Sequence, residues 1–336
     1  MKVLVTTNTL GIGGAERQRV LLANGLFRQG FAVDLLCLQG IGPMSSGLDA
    51  GVVLRRQRPT VTVLIEERAD VVITGVTRTE MLVGMTMRRS GRARKWVAAS
   101  HHAFPDRPGQ RHHRYPRDLA RCLGFADVVV ALSEGHGRHL MRSTAAKNVA
   151  VVANGLPSVA ISNPRVVESG LTEFAFVGRI TEQKGLGPFL AAWEESQAGS
   201  SVLKIYGDGP LTGSLQDGFA AARNVSWEGA TNDPLGAIAR SDWLVVPSLW
   251  EAFPMVILES LAVGTPVLAS RVGAVGEMLD GLPMCAAVEP GRSAWIDLIR
   301  RHDGKRTGFQ DELASHVNRR YSAETMVSSY MALLEN

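Results

Sequence analysis

Arg179 and Lys184 stand five positions apart in Phe174-Ala-Phe-Val-Gly-Arg-Ile-Thr-Glu-Gln-Lys-Gly185, directly after an apolar run and between Gly178 and Gly185. Two cations so placed neutralise a diphosphate, and glycines remove side-chain bulk around it. Two solvated cations on a loop are the plainer alternative. A second apolar run leads into Pro247-Ser-Leu-Trp-Glu-Ala-Phe-Pro254 and then a helical pattern that carries Glu259. Glu251 falls in the loop before that helix. Glu259 lies eight positions later, a little over two helical turns, so both carboxylates can point into one cleft. Carboxylates accept hydrogen bonds from vicinal hydroxyls, which sugar and ribose rings offer. Main-chain N–H groups at Phe253 and its neighbours add donors at the helix start. Ile257, Leu258, Leu261 and Ala262 mark the helix as largely buried, and a buried carboxylate needs partners.

Weaker signals lie in the first half. Gly11-Ile-Gly-Gly-Ala-Glu16 follows a strand pattern and opens a helix, so Gly13 and Gly14 would let the backbone approach an anionic ligand. A tight turn with no ligand explains the same residues. The dinucleotide fingerprint G-x-G-x-x-G is incomplete, because Glu16 replaces its third glycine. The next strand ends at Leu38-Gln39 with no acid for a ribose, which disfavours a nicotinamide-dependent oxidoreductase. Leu203-Lys-Ile-Tyr-Gly-Asp-Gly-Pro-Leu211 is a turn signal alone. Ser100-His-His-Ala-Phe104 offers two histidines, and a histidine pair alone is more often a polar loop than a catalytic feature.

The elements that must carry these residues alternate. Strands are expected at 2–6, 32–38, 71–74, 96–99, 128–131 and 149–152, with a helix at 15–29. After a Pro- and Ser-containing linker at 157–172, strands at 173–177, 202–206, 243–246 and 266–269 alternate with helices at 188–195, 211–222, 255–261 and 293–301. The class is α/β: two doubly wound parallel-sheet domains facing across a cleft, 1–165 and 166–320. A chain of 336 residues is too long for one typical core and fits that division.

Charge divides the same way. Residues 1–165 carry 23 Lys+Arg against 11 Asp+Glu, and 166–336 carry 13 against 21. The excess clusters at Arg88, Arg89, Arg92, Arg94 and Lys95, and again at Arg107, Arg111, Arg114, Arg117 and Arg121. A solvated basic face and attraction to an anionic membrane surface both account for it. Nucleic acid is disfavoured, because few aromatics are interleaved. The opening residues read as a strand and not as a signal peptide, and no apolar run is long enough to span a membrane. Three scattered cysteines argue against a disulfide framework or metal cluster and suit a reducing cytoplasm.

Together these segments resemble the retaining glycosyltransferases of family 4, of GT-B fold. The resemblance covers nearly the whole chain and is strongest over 173–280, where FVGRITEQKG, IYGDGP, E-x7-E and Leu261-Ala-Val-Gly-Thr-Pro-Val267 occur in the family's order. It implies a Rossmann-like acceptor domain at 1–165, a Rossmann-like donor domain at 166–320, and a last helix at 321–336 that crosses back to the first. It further implies that Arg179 and Lys184, beside Gly178, bind the donor diphosphate of a UDP- or GDP-sugar. Glu259 would hold the ribose hydroxyls and Glu251 the donor sugar, beside main-chain groups of Phe253, Pro254 and Met255. Gly13 and Gly14 would approach the diphosphate or acceptor. The family's histidine near the reacting sugar maps to Ser100–Phe104, where Phe104 favours His102 over His101. Ala252 replaces a frequent glycine and Gly273-Ala274 a frequent Gly-Gly, departures that bear on the shape of the sugar pocket. No Asp-x-Asp is present, so neither a metal nor another cofactor is expected. The acceptor implied is a saccharide hydroxyl, lipid-linked at the cytoplasmic face of a membrane or, alternatively, a soluble small molecule.

Overall fold

The computed structural model describes residues 1–11, 13–56, 68–101, 116–158, 170–307 and 310–335. The chain divides into two compact units: Met1–Pro157 with Tyr321–Asn336, and Ser158–Arg320. The first unit runs β1 (Lys2–Thr9), α1 (Gly14–Arg28), β2 (Ala32–Gly40), β3 (Val53–Arg56), β4 (Ala69–Thr74), α2 (Arg78–Arg89), β5 (Ala93–Ala99), α3 (Arg117–Cys122), β6 (Val128–Ala131), α4 (Glu134–Ser143) and β7 (Val149–Val151). The second runs β8 (Thr172–Val177), α5 (Leu186–Ser196), β9 (Ser201–Tyr206), α6 (Thr212–Gly218), β10 (Val225–Gly229), α7 (Pro234–Arg240) and β11 (Trp243–Val246). It continues with α8 (Met255–Ala262), β12 (Val267–Ser270), α9 (Val275–Leu279), β13 (Ala286–Val288), α10 (Arg292–His302) and α11 (Asp311–Arg320), and α12 (Ala323–Glu335) closes the chain.

Each unit holds one parallel sheet, ordered β3-β2-β1-β4-β5-β6-β7 in the first and β10-β9-β8-β11-β12-β13 in the second. The central strands are near-continuous apolar runs because helices cover both faces. In the first unit, α1 and α12 pack on one face through Leu22, Ala23, Leu26, Met326, Val327 and Tyr330. The α2, α3 and α4 helices cover the other through Met81, Met87, Leu119 and Leu140, with Leu123 just after α3. The α12 helix is tied in by main-chain bonds from Leu156 N to Tyr321 O, 2.8 Å, and from Ala323 N to Leu156 O, 2.9 Å. Gly25 of α1 makes room for it, since a Cβ there would collide with Val327.

The order of both sheets reverses once, between β1 and β4 and between β8 and β11. Loops leaving the carboxyl ends of such a strand pair diverge and open a crevice, the usual ligand position in doubly wound sheets. Several boundaries differ from those expected. The β1 strand runs on through Thr9, and α6 stops at Gly218 instead of residue 222, where glycine and the turn after it end the helix. The short strands β3, β10 and β13 lack a long apolar run and were not expected from sequence. Most of the expected linker, 159–169, lies outside the described residues, and Thr172 already belongs to β8. Among the described residues no helix is long and apolar enough to cross a membrane.

The start of the β8–β11 pair is pinned by Asp242, which is fully buried. Its carboxylate accepts from Glu173 N at 2.8 Å and from Thr307 N at 2.7 Å. Asp242→Ala strands two buried N–H groups and should lower stability by about 3 kcal/mol. Asp242→Asn, which keeps one acceptor oxygen, should recover part of the loss. Urea unfolding followed by tryptophan fluorescence reads mainly the second unit, which holds Trp193, Trp227, Trp243, Trp250 and Trp295. An unchanged midpoint for the alanine variant would remove Asp242 from this role.

Candidate functional site

The second unit's reversal point lies between β8 and β11, paired in parallel with Trp243 opposite Phe174 and Leu244 opposite Ala175. The loop after β8 carries Gly178 and Arg179, tightens into a 3-10 turn over Glu182–Lys184, and reaches α5 through Gly185. The loop after β11 carries Pro247 to Pro254 and ends where α8 begins at Met255.

The two loops are stitched together. Leu249 N donates to Gln183 O at 2.8 Å, and Gln183 Nε2 donates to Trp250 O at 3.1 Å. Beside them, Lys184 Nζ donates to Glu251 Oε1 at 2.6 Å. Ser248 Oγ donates to the same oxygen at 2.9 Å. Glycine is needed at two points of this junction. Gly185 has φ +66° and a Cβ there would strike Pro247 O; Gly273 has φ +56° and its Cβ would strike Glu251 O. On that second side Ala274 N donates to Ala252 O at 3.2 Å, so the β12–α9 connection clamps the Glu251 loop from behind.

Glu251 is buried, 6% exposed, and Lys184 is only partly so. Arg179 is exposed at the rim of the same loop. Its neighbour Ile180 is fully buried and fixes the loop: Ile180 N donates to Asp208 O at 2.9 Å, and Leu211 N donates to Ile180 O at 3.3 Å. The turn Gly207–Pro210 thereby braces the arginine loop. The Asp208 carboxylate is held below the usual range by the Thr212 hydroxyl at 2.8 Å and the Gly209 N–H at 2.7 Å. Glu259 is half-buried in the second turn of α8. Phe253 and Pro254 are buried just before that helix, and Met255 is half-buried as its first residue.

Lys184 and Glu251, expected at different parts of one ligand, are thus bonded to each other. Gln183 and Ser248 join them and were not singled out from sequence. Ser248 had a readable signal, a hydroxyl three residues before a carboxylate, within reach across one turn. Gln183 had none, because its partners are main-chain groups of a loop far along the chain.

In the first unit, Gly13 is the extended N-cap of α1 and Gly14 its first residue. Glu16 folds back over them: Thr9 Oγ1 donates to Glu16 Oε1 at 3.0 Å, and a Cβ on Gly13 would collide with that carboxylate. The positive end of α1 therefore already faces an anion of its own. His101 is half-buried two residues past β5, whereas His102 lies outside the described residues. A further histidine, His136, is fully buried at the start of α4. Its Nδ1 accepts from Leu132 N at 3.3 Å, which places the ring proton on Nε2, 3.3 Å from Ser100 Oγ. Among the described residues no group of three or more His, Cys, Asp and Glu is placed to hold a metal ion.

The family described as Glycosyl transferases group 1 matches residues 172–301, and Glycosyltransferase Family 4 matches residues 12–158. An uncharacterised glycosyltransferase of Methanocaldococcus jannaschii is 36% identical over 175 residues, 48% of this chain and 45% of that one. The UDP-Gal:alpha-D-GlcNAc-diphosphoundecaprenol alpha-1,3-galactosyltransferase of Escherichia coli is 34% identical over 107 residues, 30% of this chain and 28% of that one. The chain thus spans less than half the length of these two curated relatives. Among solved structures, HepE of Anabaena in complex with UDP superposes with a TM-score of 0.79 at 16% identity over 100% of both chains. Sucrose-phosphate synthase from Thermosynechococcus elongatus gives 0.78 at 17% identity over 99% of this chain and 98% of that one. At such identities the superpositions establish the fold, whose two Rossmann-like units are those of GT-B. By its two family matches and that fold, the chain belongs to glycosyltransferase family 4.

Proposed function

We propose that the protein transfers a sugar from a UDP- or GDP-sugar, with retention of configuration, to a hydroxyl of a lipid-linked saccharide in cell-envelope polysaccharide assembly. The observation that carries the donor half is the junction of Lys184 and Glu251 at the β8–β11 reversal point. Arg179 and Lys184 meet the diphosphate there, with Gly178 leaving room for it. Glu259 takes the ribose hydroxyls and Glu251 those of the sugar, beside main-chain groups of Phe253, Pro254 and Met255. Gly13 and Gly14 serve the diphosphate or the acceptor, and the His101–His102 pair serves the acceptor. That HepE was solved with UDP, and that the Escherichia coli relative is named for UDP-Gal, support a uridine donor.

In the reaction, the bond from the anomeric carbon to the phosphate oxygen breaks and its electron pair stays with the departing diphosphate. The acceptor oxygen bonds the anomeric carbon on the same face and passes its proton to a departing phosphate oxygen. The charge that develops on that phosphate is what Lys184 and Arg179 stabilise, so neither a protein nucleophile nor a metal is needed.

The acceptor half rests on the outer face of the first unit. There α2, α3 and α4 lie side by side, linked by an Arg78–Asp118 ion pair at 3.2 Å and by Ala145 N donating to Ala120 O at 2.9 Å. This layer exposes Arg89, Arg117, Arg121, Arg138 and Arg142, interleaved with the exposed side chains of Leu82, Phe125 and Met141. Cations near anionic headgroups contribute about 1 kcal/mol each, and exposed apolar side chains insert among lipids. The Escherichia coli relative's name places its acceptor on diphosphoundecaprenol, which supports a lipid carrier.

Two experiments test this reading. Nucleoside diphosphate release from a panel of UDP- and GDP-sugars should fall about 100-fold or more in Lys184→Ala and in Arg179→Ala, and EDTA should leave the wild-type rate unchanged. Near-wild-type turnover in either variant contradicts the donor site. Phosphatidylglycerol vesicles should sediment the protein in a salt-sensitive way, and the triple variant Arg117→Glu, Arg121→Glu, Phe125→Ser should stay in solution. Equal behaviour with neutral and anionic vesicles points to a soluble acceptor.

A further inference from the structure

Lys184 and Glu251 face a conflict that their separate roles do not reveal. The proposed donor site needs Lys184 at the diphosphate, yet its ammonium is bonded to Glu251 at 2.6 Å. Among the described residues, the two side-chain hydrogen bonds that the carboxylate receives, from Lys184 and from Ser248, go to Oε1. The surrounding backbone is fixed by Gln183, Leu249 and Trp250, so Lys184 can change partner by rotating its own flexible side chain without moving either loop.

We infer that Glu251 is an internal competitor for Lys184, so that the site distinguishes a diphosphate carrying a sugar from one without it. The inference rests on the donor site proposed above and adds a consequence to it. When a nucleoside-diphosphate sugar binds, Lys184 turns to the phosphate and Glu251 receives the sugar hydroxyls in exchange. Each partner lost is replaced. When a bare nucleoside diphosphate binds, Lys184 leaves and nothing replaces it, so a buried carboxylate is left with Ser248 alone. A buried charge deprived of its counter-charge is costly. Once the sugar has been transferred, Glu251 has lost those hydroxyls and competes for Lys184 again, which weakens the hold on the spent diphosphate. The same pair thus favours the loaded donor on entry and promotes release of the spent one.

The test is equilibrium titration of UDP, GDP and inorganic pyrophosphate into wild type, Glu251→Gln, Lys184→Gln and the double variant, by calorimetry. Glu251→Gln keeps the shape of the side chain and removes its hold on Lys184, so it should bind the sugar-free probe about tenfold more tightly than wild type. Removing a negative charge near a phosphate could raise affinity without any exchange, and the lysine background separates the two causes. If the gain acts through Lys184, adding Glu251→Gln to Lys184→Gln should leave affinity within about twofold. Equal or weaker binding by Glu251→Gln would overturn the inference, as would an undiminished gain in the Lys184→Gln background. Melting curves establish that all four proteins are folded, and the double variant removes both charges together, so it leaves no buried charge alone. Absence of binding by every folded protein to all three probes would instead remove the donor-site reading itself.

Discussion

Parallel strands deliver their loops to one edge of the sheet, and only where the strand order reverses do neighbouring loops turn away from each other. In the second unit that place lies between β8 and β11, and Arg179, Lys184 and Glu251 lie on the two loops that leave it. What keeps the point from being a bare crevice is the contact between the two loops. Gln183 joins them by main-chain and side-chain bonds, and the lysine–glutamate pair closes the gap beside it. Two glycines at left-handed backbone angles let the strands of this knot pass at a distance no side chain tolerates. The rest of the unit serves to hold this arrangement. Asp242 pins the far end of the strand pair, and the β9 turn braces the loop that bears Arg179.

The first unit has the same strand order extended by one strand, β7, with different contents at its reversal point. Between β1 and β4, Glu80 is buried and accepts from Thr6 Oγ1, Gly75 N and Thr77 Oγ1. The glycine loop after β1 closes over the carboxylate of Glu16. These are acids satisfied within the unit, in contrast to the exposed Arg179 and partly exposed Lys184 of the second. The difference fits a division of labour in which a highly charged donor belongs to one unit and a largely uncharged sugar hydroxyl to the other. The return of α12 to the first unit also has a physical signature, because Tyr330 is buried beside Arg19 of α1 and burial raises its pKa above the ordinary phenolic value.

How much of this could be read from residues alone follows from how local each signal is. The β6 and β11 strands are unbroken apolar runs between turn residues, and they begin and end where the pattern says. The β3 and β10 strands alternate or include charged residues such as Arg55, Arg56 and Glu228, and only pairing with a neighbour makes them strands. Arg179, Lys184, Glu251 and Glu259 were visible by type and by position after strand patterns. Their mutual arrangement was not. That Lys184 reaches Glu251, and that Gln183 holds the main chain of residues 249 and 250, depends on two segments more than sixty residues apart meeting at one sheet edge. Spacing along a chain carries no record of such a meeting. At the glycine loop the sequence shows a helix N-terminus without its surroundings, and only the fold shows the Glu16 carboxylate lying against it.

On the proposed reading the donor diphosphate sits at the β8–β11 junction, and a crystal structure of the protein bound to an intact, non-transferable UDP-sugar decides the matter. The β-phosphate should lie within hydrogen-bond distance of Lys184 Nζ and the Arg179 guanidinium, with Lys184 no longer bonded to Glu251. A nucleotide sugar bound away from this junction, with the Lys184–Glu251 pair intact, would rule the reading out.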